Sequence, residues 1–497
     1  MWKRNFTRRR TMQLLAGGAG ALLTRTAATG PTADAAGRDA IDALQKAIAG
    51  SVTGKGDEAF EAARRAMVWN TRIASGSGRA PDAIVQPTST HDVAAAVKFA
   101  RRRGLKIAVR GSGHNYHGAV LRDRGLLLDL SRLNALRIDA EKRRATAGPA
   151  IKSGGLIAAL APHGLAFPVG HCSDVALSGY VLNGGFGWNF GEWGPACMSA
   201  HGMEMVTAAG DIVYANDDEN RDLLWAARGA GPGFFAVVTR YDIALYGLPP
   251  AIHSFAATFA LEAAPAIASW LTDTIGTVHP TVEVACALGP VDETRKPLIA
   301  VSGFAFAESR NEAISRLGGL REPPARAARI GEVIDEPATF QDLFALVDAG
   351  FPNGKRMAGD QCWTNGTIGD LMIASSRLAV DAPPAPSGIT IVALGGSPKP
   401  KRYDAALSVG GGTFVGAYGF WDDPAQDRAS MGWVRSIMSS VEPFRDGAYV
   451  GEADLSVNAN RSRECFSPEA WQRLLALKSK HDPEDRFYSY LTNASSA

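Results

Sequence analysis

Apolar and polar positions follow two different rhythms along the chain, and the change comes at Pro249-Pro250. Before it, short apolar strands alternate with helical patterns, and turn residues separate them. After it, the order is strand, helix, strand, strand, helix, which is typical of an antiparallel sheet covered by helices on one face. The sequence therefore predicts an α+β fold of two domains, which also suits a length of 497 residues.

Individual elements follow from the same pattern. Ser89 to Asp92 has the composition of a capping box and precedes an apolar helical face that Gly104 ends. Met203–Thr207 and Ile212–Tyr214 predict a hairpin around a tight turn. The other predicted elements are a helix and an entry loop within residues 38–75, strands at Leu105–Val109, Leu126–Leu130, Phe235–Ala244, Ile252–Phe259, Val282–Leu288 and Leu298–Phe306, and helices at Ser153–Leu160, Asp217–Trp225, Ala263–Asp273, Glu308–Leu317 and Trp471–Lys480.

The first 36 residues predict an export signal. Trp2–Arg10 is basic, Leu14–Leu23 is apolar but too short to span a bilayer, and Ala33-Asp34-Ala35 offers a cleavage site. The consecutive arginines resemble a twin-arginine signal, which carries folded proteins. We therefore expect a periplasmic or extracellular protein without stable membrane insertion after signal removal. The alternative is a frayed basic N-terminus.

Charge and cysteine content exclude several partners. Lys+Arg 52 against Asp+Glu 50 leaves the chain almost neutral, and no basic stretch follows the first ten residues, so a nucleic-acid partner is not expected. The five cysteines lack the paired spacing that holds zinc, and no metal site is expected. If the protein is exported, disulfides are allowed, and the odd count leaves at least one thiol over.

Two glycine-rich loops carry the candidate chemistry. One is Arg110–Gly118 and holds His114; the other is Gly170–Val175, which holds Cys172 and precedes Gly184–Gly187. Glycine allows backbone N–H groups to approach a phosphate or a flat ring. The first loop is not a Rossmann fingerprint, because a strand and not an amphipathic helix follows it. Any phosphates would be held by loop N–H groups.

These loops resemble those of FAD-dependent oxidases of the vanillyl-alcohol oxidase superfamily, in the berberine-bridge-enzyme-like branch. The resemblance runs from about Ala80 to Leu245 and resumes from about Tyr449 to Phe487. Its further matching motifs are Pro81–Pro87, Arg228–Phe235 and Asp482-Pro483. It implies a two-domain flavoprotein with a PCMH-type FAD-binding domain. The implied division is an FAD-binding domain over 37–248, a substrate-binding domain over 249–445, and a segment over 446–497 that returns to the first domain.

The resemblance also implies how FAD is held. The His114 position attaches to the 8-alpha methyl group of FAD, and in bicovalent members the Cys172 position attaches to carbon 6. Val175 matches a position that gates oxygen access, where valine favours oxidase behaviour. The other implied cofactor positions are Arg110, Gly111, Ser112, Gly113 and Asn115 near the pyrophosphate, Gly179, Asn183, Gly184 and Gly185 along the ring and ribityl chain, and Val237 near the adenine.

Each of these residues also has a structural interpretation. His114 could hydrogen-bond a loop carbonyl, and any single glycine could serve a turn. Cys172 could be a small buried residue, and Ser173-Asp174 stands where the family has Pro-Thr. A depressed thiol pKa would favour attachment at Cys172, and His171 could assist, although neighbours on a strand point apart.

The catalytic base is expected near the C-terminal end of the chain. The family often has Tyr-x-Asn-Tyr-x-Asp in a returning strand, and this chain has Tyr449–Asp454 with Glu452 in place of the second tyrosine. Glu452 could deprotonate a substrate if burial raises its pKa. Tyr449 is the second candidate, and a solvated carboxylate is the alternative interpretation of Glu452.

The resemblance implies an oxidase that takes hydride from a C–H bond bearing a hydroxyl or amine and reduces molecular oxygen to hydrogen peroxide. Small molecules, sugars and polycyclic compounds are all possible substrates. A dehydrogenase that uses another electron acceptor, and a flavin-binding protein without turnover, stay open as alternatives. Trp363 and Trp421 could stack on a substrate ring or belong to the core.

Overall fold

A computed structural model gives the structure of the protein. It describes residues 33–290, 296–324, 329–394, 403–410, 412–457 and 460–491. The predicted export signal lies outside these residues except for its last four, which begin a helix. The chain divides into two units, Met1–Ala40 and Ile41–Ala497, and every sheet formed by the described residues lies in the second.

Nineteen strands are present in the described part of the chain. They are β1 Ser51–Gly54, β2 Ala83–Gln86, β3 Ile107–Arg110, β4 Leu126–Asp129, β5 Leu136–Asp139, β6 Arg144–Ala147, β7 Leu165–Ala166, β8 Ala200–Thr207, β9 Ile212–Asn216, β10 Ala236–Ala244, β11 Tyr246–Gly247, β12 Ala251–Ala260, β13 Glu283–Pro290, β14 Pro297–Ala307, β15 Arg329–Ala338, β16 Arg356–Thr364, β17 Gly388–Leu394, β18 Thr413–Trp421 and β19 Arg445–Gly447.

The same described residues form fifteen α-helices. They are α1 Ala33–Ala47, α2 Phe60–Ala66, α3 Thr71–Gly76, α4 Thr90–Arg103, α5 Ser153–Leu160, α6 Leu177–Leu182, α7 Phe190–Trp193, α8 Ala196–Ser199, α9 Arg221–Ala227, α10 Ala264–Thr274, α11 Arg310–Leu317, α12 Phe340–Gly350, α13 Ile368–Ser376, α14 Asp427–Ser440 and α15 Pro468–His481.

The strands form two groups of sheets. The first group is a four-stranded sheet in the order β1-β2-β4-β3, a five-stranded sheet in the order β5-β6-β10-β8-β9, and the pair β11-β7. The second is an eight-stranded antiparallel sheet in the order β15-β12-β14-β13-β17-β18-β16-β19. The predicted α+β fold is confirmed; the exact domain boundaries stay predictions.

The eight-stranded sheet has one face in the hydrophobic core and one face toward a cavity. On β13, Val284 and Leu288 belong to the core cluster that packs against α10, α13 and α14. The alternate residues Glu283, Ala285 and Ala287 line the cavity. Because successive side chains of a strand point to opposite faces, the apolar pattern fixes which residues reach the site.

Helix ends follow the predicted signals. The Ser89 side chain accepts a hydrogen bond from the Asp92 N–H, and Gly104 ends α4 in the left-handed conformation. The Asp92 carboxylate does not form the second hydrogen bond of a capping box. It accepts hydrogen bonds from the N–H groups of Ala49 and Gly50, and these bonds anchor the segment before β1.

Two predictions of local structure were wrong. Residues 38–75 hold β1, α2 and α3 besides the predicted helix. Their short lengths give little periodicity, and β1 exists because it pairs with the distant β2. Tyr449–Asp454 is a turn and not a strand, since the N–H groups of Glu452 and Ala453 both donate to the Tyr449 carbonyl.

Candidate active site

A cavity of about 530 Å³ lies between the two groups of sheets. Its floor comes from the β3 and Cys172 loops and from α6, and its roof from the eight-stranded sheet. The roof is largely apolar and aromatic, and it includes Phe304, Trp363, Val392 and Phe414. A site of this kind excludes water and binds flat or apolar groups.

The loop after β3 is shaped to present backbone N–H groups to the cavity. Gly113 has φ +77°, and a Cβ there would lie 2.3 Å from the Met67 carbonyl oxygen, so only glycine fits. Among the described residues, no acceptor receives a hydrogen bond from the N–H groups of Ser112, Gly113, His114 or Asn115. The loop therefore offers free donors of the kind that bind phosphate oxygens.

His114 points into the cavity from this loop. Its imidazole stacks on Trp69, with ring centroids 5.2 Å apart and an interplanar angle of 18°. Its Nε2 lies 2.8 Å from a carboxylate oxygen of Asp174. This hydrogen bond lowers the pKa of Asp174, so the carboxylate is ionised near neutral pH and accepts the Nε2 proton.

Cys172 faces the same cavity, but its surroundings oppose a thiolate. Burial, and then the carboxylates of Asp348, Asp174 and Glu452, raise its pKa well above the usual value. The depressed pKa that would favour attachment at Cys172 is therefore absent in this structure. Asp348 is held against this loop because it accepts hydrogen bonds from the N–H and hydroxyl of Ser173 at 3.0 and 2.5 Å.

His171 does not assist Cys172 directly. Its Nε2 lies 3.0 and 3.1 Å from the two carboxylate oxygens of Glu283, which comes from the roof strand β13. The ring also packs edge-on against Trp188 at 4.5 Å. The hydrogen bond and the charge of Glu283 outweigh desolvation and raise the pKa of His171.

Glu452 and Tyr449 reach the cavity from the turn after β19. The Tyr418 hydroxyl donates to a Glu452 carboxylate oxygen at 2.7 Å. Withdrawal from bulk solvent raises the pKa of Glu452, while that hydrogen bond and His171 oppose the rise. Burial raises the pKa of Tyr449, so its phenol keeps its proton, and its carbonyl accepts a hydrogen bond from Gln361 at 2.6 Å.

Comparisons with known proteins identify the family of this chain. A profile described as an FAD binding domain matches residues 81–216. (R)-6-Hydroxynicotine oxidase from Paenarthrobacter nicotinovorans is 30% identical over 468 residues, which cover 88% of this chain and 95% of that protein. This chain belongs to the family of vanillyl-alcohol-oxidase-type, FAD-linked oxidoreductases.

Solved structures of this flavoprotein family share the fold. The 6-hydroxy-D-nicotine oxidase of Arthrobacter nicotinovorans matches with a TM-score of 0.77 at 26% identity, over 90% of this chain and 98% of that one. The berberine-bridge-enzyme-like protein 1 of Physcomitrella patens matches with a TM-score of 0.77 at 19% identity, over 91% and 99%, and supports the fold alone. The protein is an FAD-dependent oxidoreductase, as its sequence predicts.

The floor of the cavity suits FAD. Three buried polar atoms of α6 and the residue after it, Ser178 Oγ, Tyr180 Oη and Asn183 Oδ1, have no hydrogen-bond partner among the described residues, and all three residues line the cavity. Buried polar groups rarely stay unpaired, so a polar ligand is expected beside them. A Cβ on Gly179 would meet nothing within 4 Å, which leaves room beside α6. These residues and the Ser112–Asn115 loop would hold the dinucleotide.

Most of the predicted cofactor positions of the flavoprotein line the cavity. The lining residues among them are Gly111, Ser112, Gly113, His114, Asn115, Cys172, Val175, Gly179 and Asn183. Within this set, Asn115 also organises its own loop, because its side-chain oxygen accepts from the N–H groups of His117 and Ala119. Contact of these residues with FAD stays a prediction.

Four predicted cofactor positions do not line the cavity. Arg110 instead binds the Asp129 carboxylate at 2.7 Å and the carbonyls of the loop, so it holds the loop in shape. Gly184 and Gly185 have positive φ and pack against other side chains of the protein. Val237 is fully buried in β10, where its neighbours on either side reach the cavity.

The structure adds residues that local sequence patterns did not reveal. Tyr116, Tyr418 and Glu283 line the cavity, and Asp174 is joined to His114. Of the two tryptophans singled out, Trp363 lines the cavity, whereas Trp421 is buried and donates to Asp427 at 2.8 Å. The only sequence signal for Asp174 was its departure from the Pro-Thr of the family.

Other features of the described residues bear on cofactors and location. The five cysteines are all free thiols. No three His, Cys, Asp or Glu side chains within the described ranges form a group suited to a metal ion. None of the helices in that part of the chain is both long and apolar enough to cross a membrane.

Proposed function

We propose that this flavoprotein is an oxidase with covalently bound FAD. It would oxidise a C–H bond next to a hydroxyl or amino group of a small molecule or sugar, and it would reduce O2 to H2O2. FAD would be bonded to His114 and also to Cys172. When bound, FAD supplies the acceptor for hydride and returns the electrons to O2.

The observation that carries this proposal is that His114, Cys172 and Glu452 open into one apolar cavity. The side chains of His114 and Cys172, from two separate loops, therefore face the cavity in which we place the flavin ring. The part of the cavity between the flavin ring and the roof would then be available for a substrate. The relative named as a hydroxynicotine oxidase supports an amine among the candidate substrates.

Glu452 is the better of the two candidate bases. Its carboxylate is partly buried at the cavity, and this burial raises its pKa toward the working range of a general base. The Tyr418 hydroxyl holds the carboxylate in place and leaves its second oxygen for the substrate hydroxyl or ammonium proton. Tyr449 keeps its own proton because burial raises its pKa, so it would orient the substrate.

The proposal that O2 is the electron acceptor depends on Val175. This residue lines the cavity next to the Cys172 loop, and the resemblance assigns the position to oxygen access. A valine leaves more space than a longer side chain would. The predicted export signal adds a second proposal: the protein is released outside the cytoplasm after residues 1–36 are removed.

The experiment is anaerobic mixing of the holoenzyme with a panel of amines, alcohols and sugars, followed by exposure to air. Loss of the oxidised-flavin absorbance, with rapid return in air and release of one H2O2 per flavin, would support the oxidase. A return only with a dye or quinone would make the protein a dehydrogenase. Flavin that no substrate bleaches would contradict an enzymatic role for the panel tested.

A further inference from the structure

Asp174 stands where the family sequence differs, and its position next to His114 has a chemical consequence. The carboxylate holds the imidazole at one edge, with 2.8 Å between Asp174 Oδ1 and His114 Nε2. Trp69 holds the face of the same ring, with centroids 5.2 Å apart. Two contacts in different directions fix the orientation of the ring, and His114 still lines the cavity.

The hydrogen bond also fixes the position of the imidazole proton. An ionised carboxylate can only accept, so Nε2 must carry the hydrogen that lies between His114 and Asp174. A neutral imidazole has one N–H, and the bond therefore leaves Nδ1 with a free lone pair. No described side chain or backbone group forms a hydrogen bond with this Nδ1.

We propose that Asp174 is the positioning residue for covalent attachment of FAD at His114. It holds the tautomer whose Nδ1 can bond to the flavin methyl carbon, and its negative charge stabilises the imidazolium that results before the Nε2 proton passes to solvent. This inference rests on the proposed function, which assigns the attachment to His114. It extends that function because it names the residue that makes the histidine nucleophilic.

The reaction balances with O2 as the oxidant. The flavin methyl group loses one hydrogen, the imidazole loses its N–H hydrogen to solvent, and a C–N bond replaces the two broken bonds. The two protons and two electrons released reduce O2 to H2O2. Air therefore suffices as the co-reactant for attachment.

The test uses full-length protein that carries Cys172→Ser, so that any covalent flavin reports His114 alone. Purified protein is incubated with FAD in air, and the flavin that stays with the denatured chain is measured over time. The variants are Asp174→Asn, Asp174→Ala and Asp174→Glu. The matched control is Asp335→Asn, because Asp335 and His253 form a pair of the same 2.8 Å length away from the cavity.

We expect Asp174→Asn and Asp174→Ala to attach flavin at least ten-fold more slowly than the Cys172→Ser parent. Asp174→Glu should recover part of the rate, and Asp335→Asn should match the parent. Native visible spectra and unchanged non-covalent FAD content show that the variants are folded. A purely structural pair would change folding or FAD content, and not the attachment rate alone.

Attachment by Asp174→Ala at the parent's rate would overturn the inference and leave the proposed function standing. Absence of attachment in the parent itself would overturn both the inference and the proposed attachment at His114, because His114 would then carry no flavin. Slow attachment by Asp335→Asn would also count against the inference, since any lost His–Asp pair would then have the same effect.

Discussion

At the scale of single residues, the polar groups of the cavity owe their chemistry to their neighbours. Glu452 lies where burial works against its charge, and Tyr418 donates the hydrogen bond that stabilises the charged form. Burial also raises the pKa of Tyr449, so the phenol stays protonated near neutral pH and only the carboxylate can accept a proton. Such pairs are a common basis for assigning acid and base roles.

Glu452→Gln tests the assignment of the base. The amide keeps the size of the side chain and removes its ability to accept a proton. We expect kcat/KM to fall by about 10²- to 10⁴-fold, while FAD content stays unchanged. Glu336→Gln, on the exposed edge strand β15, is the control and should retain full activity. A Glu452→Gln enzyme with normal turnover would exclude this residue as the base.

Tyr418→Phe tests the hydrogen bond to that base. The bond from Tyr418 lowers the pKa of Glu452, so its removal raises that pKa further. Since the ionised carboxylate is the active form, activity rises with pH, and the acid limb of the kcat/KM profile should move to higher pH. The measurement is the pH profile of both enzymes with one substrate. An acid limb at the same pH in both would show that Tyr418 does not tune Glu452.

At the scale of elements, the site depends on loops that follow short strands. β3 ends at Arg110, and the chain then turns toward the cavity through glycines whose Cβ atoms would collide with other groups. At Gly113 the obstacle is the Met67 carbonyl, which belongs to the chain after α2. A rigid backbone obstacle of this kind cannot move aside cheaply, so the shape of the loop is tied to this contact.

Gly113→Ala should therefore lower the affinity for FAD more than an alanine substitution at a glycine that has a positive φ but no close neighbour. The matched control is Gly104→Ala, where φ is +66° but no atom lies within 4 Å of the added Cβ. The control should cost about 1 kcal/mol of unfolding free energy and leave FAD content unchanged. We expect Gly113→Ala to be purified with less than a tenth of the parent's flavin, measured by absorbance. Full flavin content would show that the loop can relax.

Local patterns in the sequence predicted elements and loops well, because caps, turns and apolar periodicity act over a few residues. Examples are the helix cap at Ser89, the helix end at Gly104 and the hairpin formed by β8 and β9. The surroundings of Cys172 could not be predicted in this way, since Asp348 comes from α12 and is 175 residues away from Ser173. Tyr418 reaches Glu452 only through the register of the roof sheet, which sequence alone did not supply.

At the scale of the whole molecule, two groups of sheets contribute different parts of one site. The smaller sheets position the His114 and Cys172 loops, and the eight-stranded sheet provides the aromatic roof and Glu283. The C-terminal turn brings Tyr449 and Glu452 to the boundary between these parts. A cofactor bonded to residues of the floor would keep its position even if the side chains of the roof changed to suit another substrate.

The most direct test of the account is the mass of the purified protein after denaturation, followed by peptide mapping of any adduct. The account predicts the mass of the chain plus one FAD, with a single flavin joining the peptides that carry His114 and Cys172. Flavin on the His114 peptide alone would support the bond at His114 and show that Cys172 is a buried packing residue without a flavin bond. A chain that contains FAD when native but loses all of it on denaturation would contradict the covalent assignment.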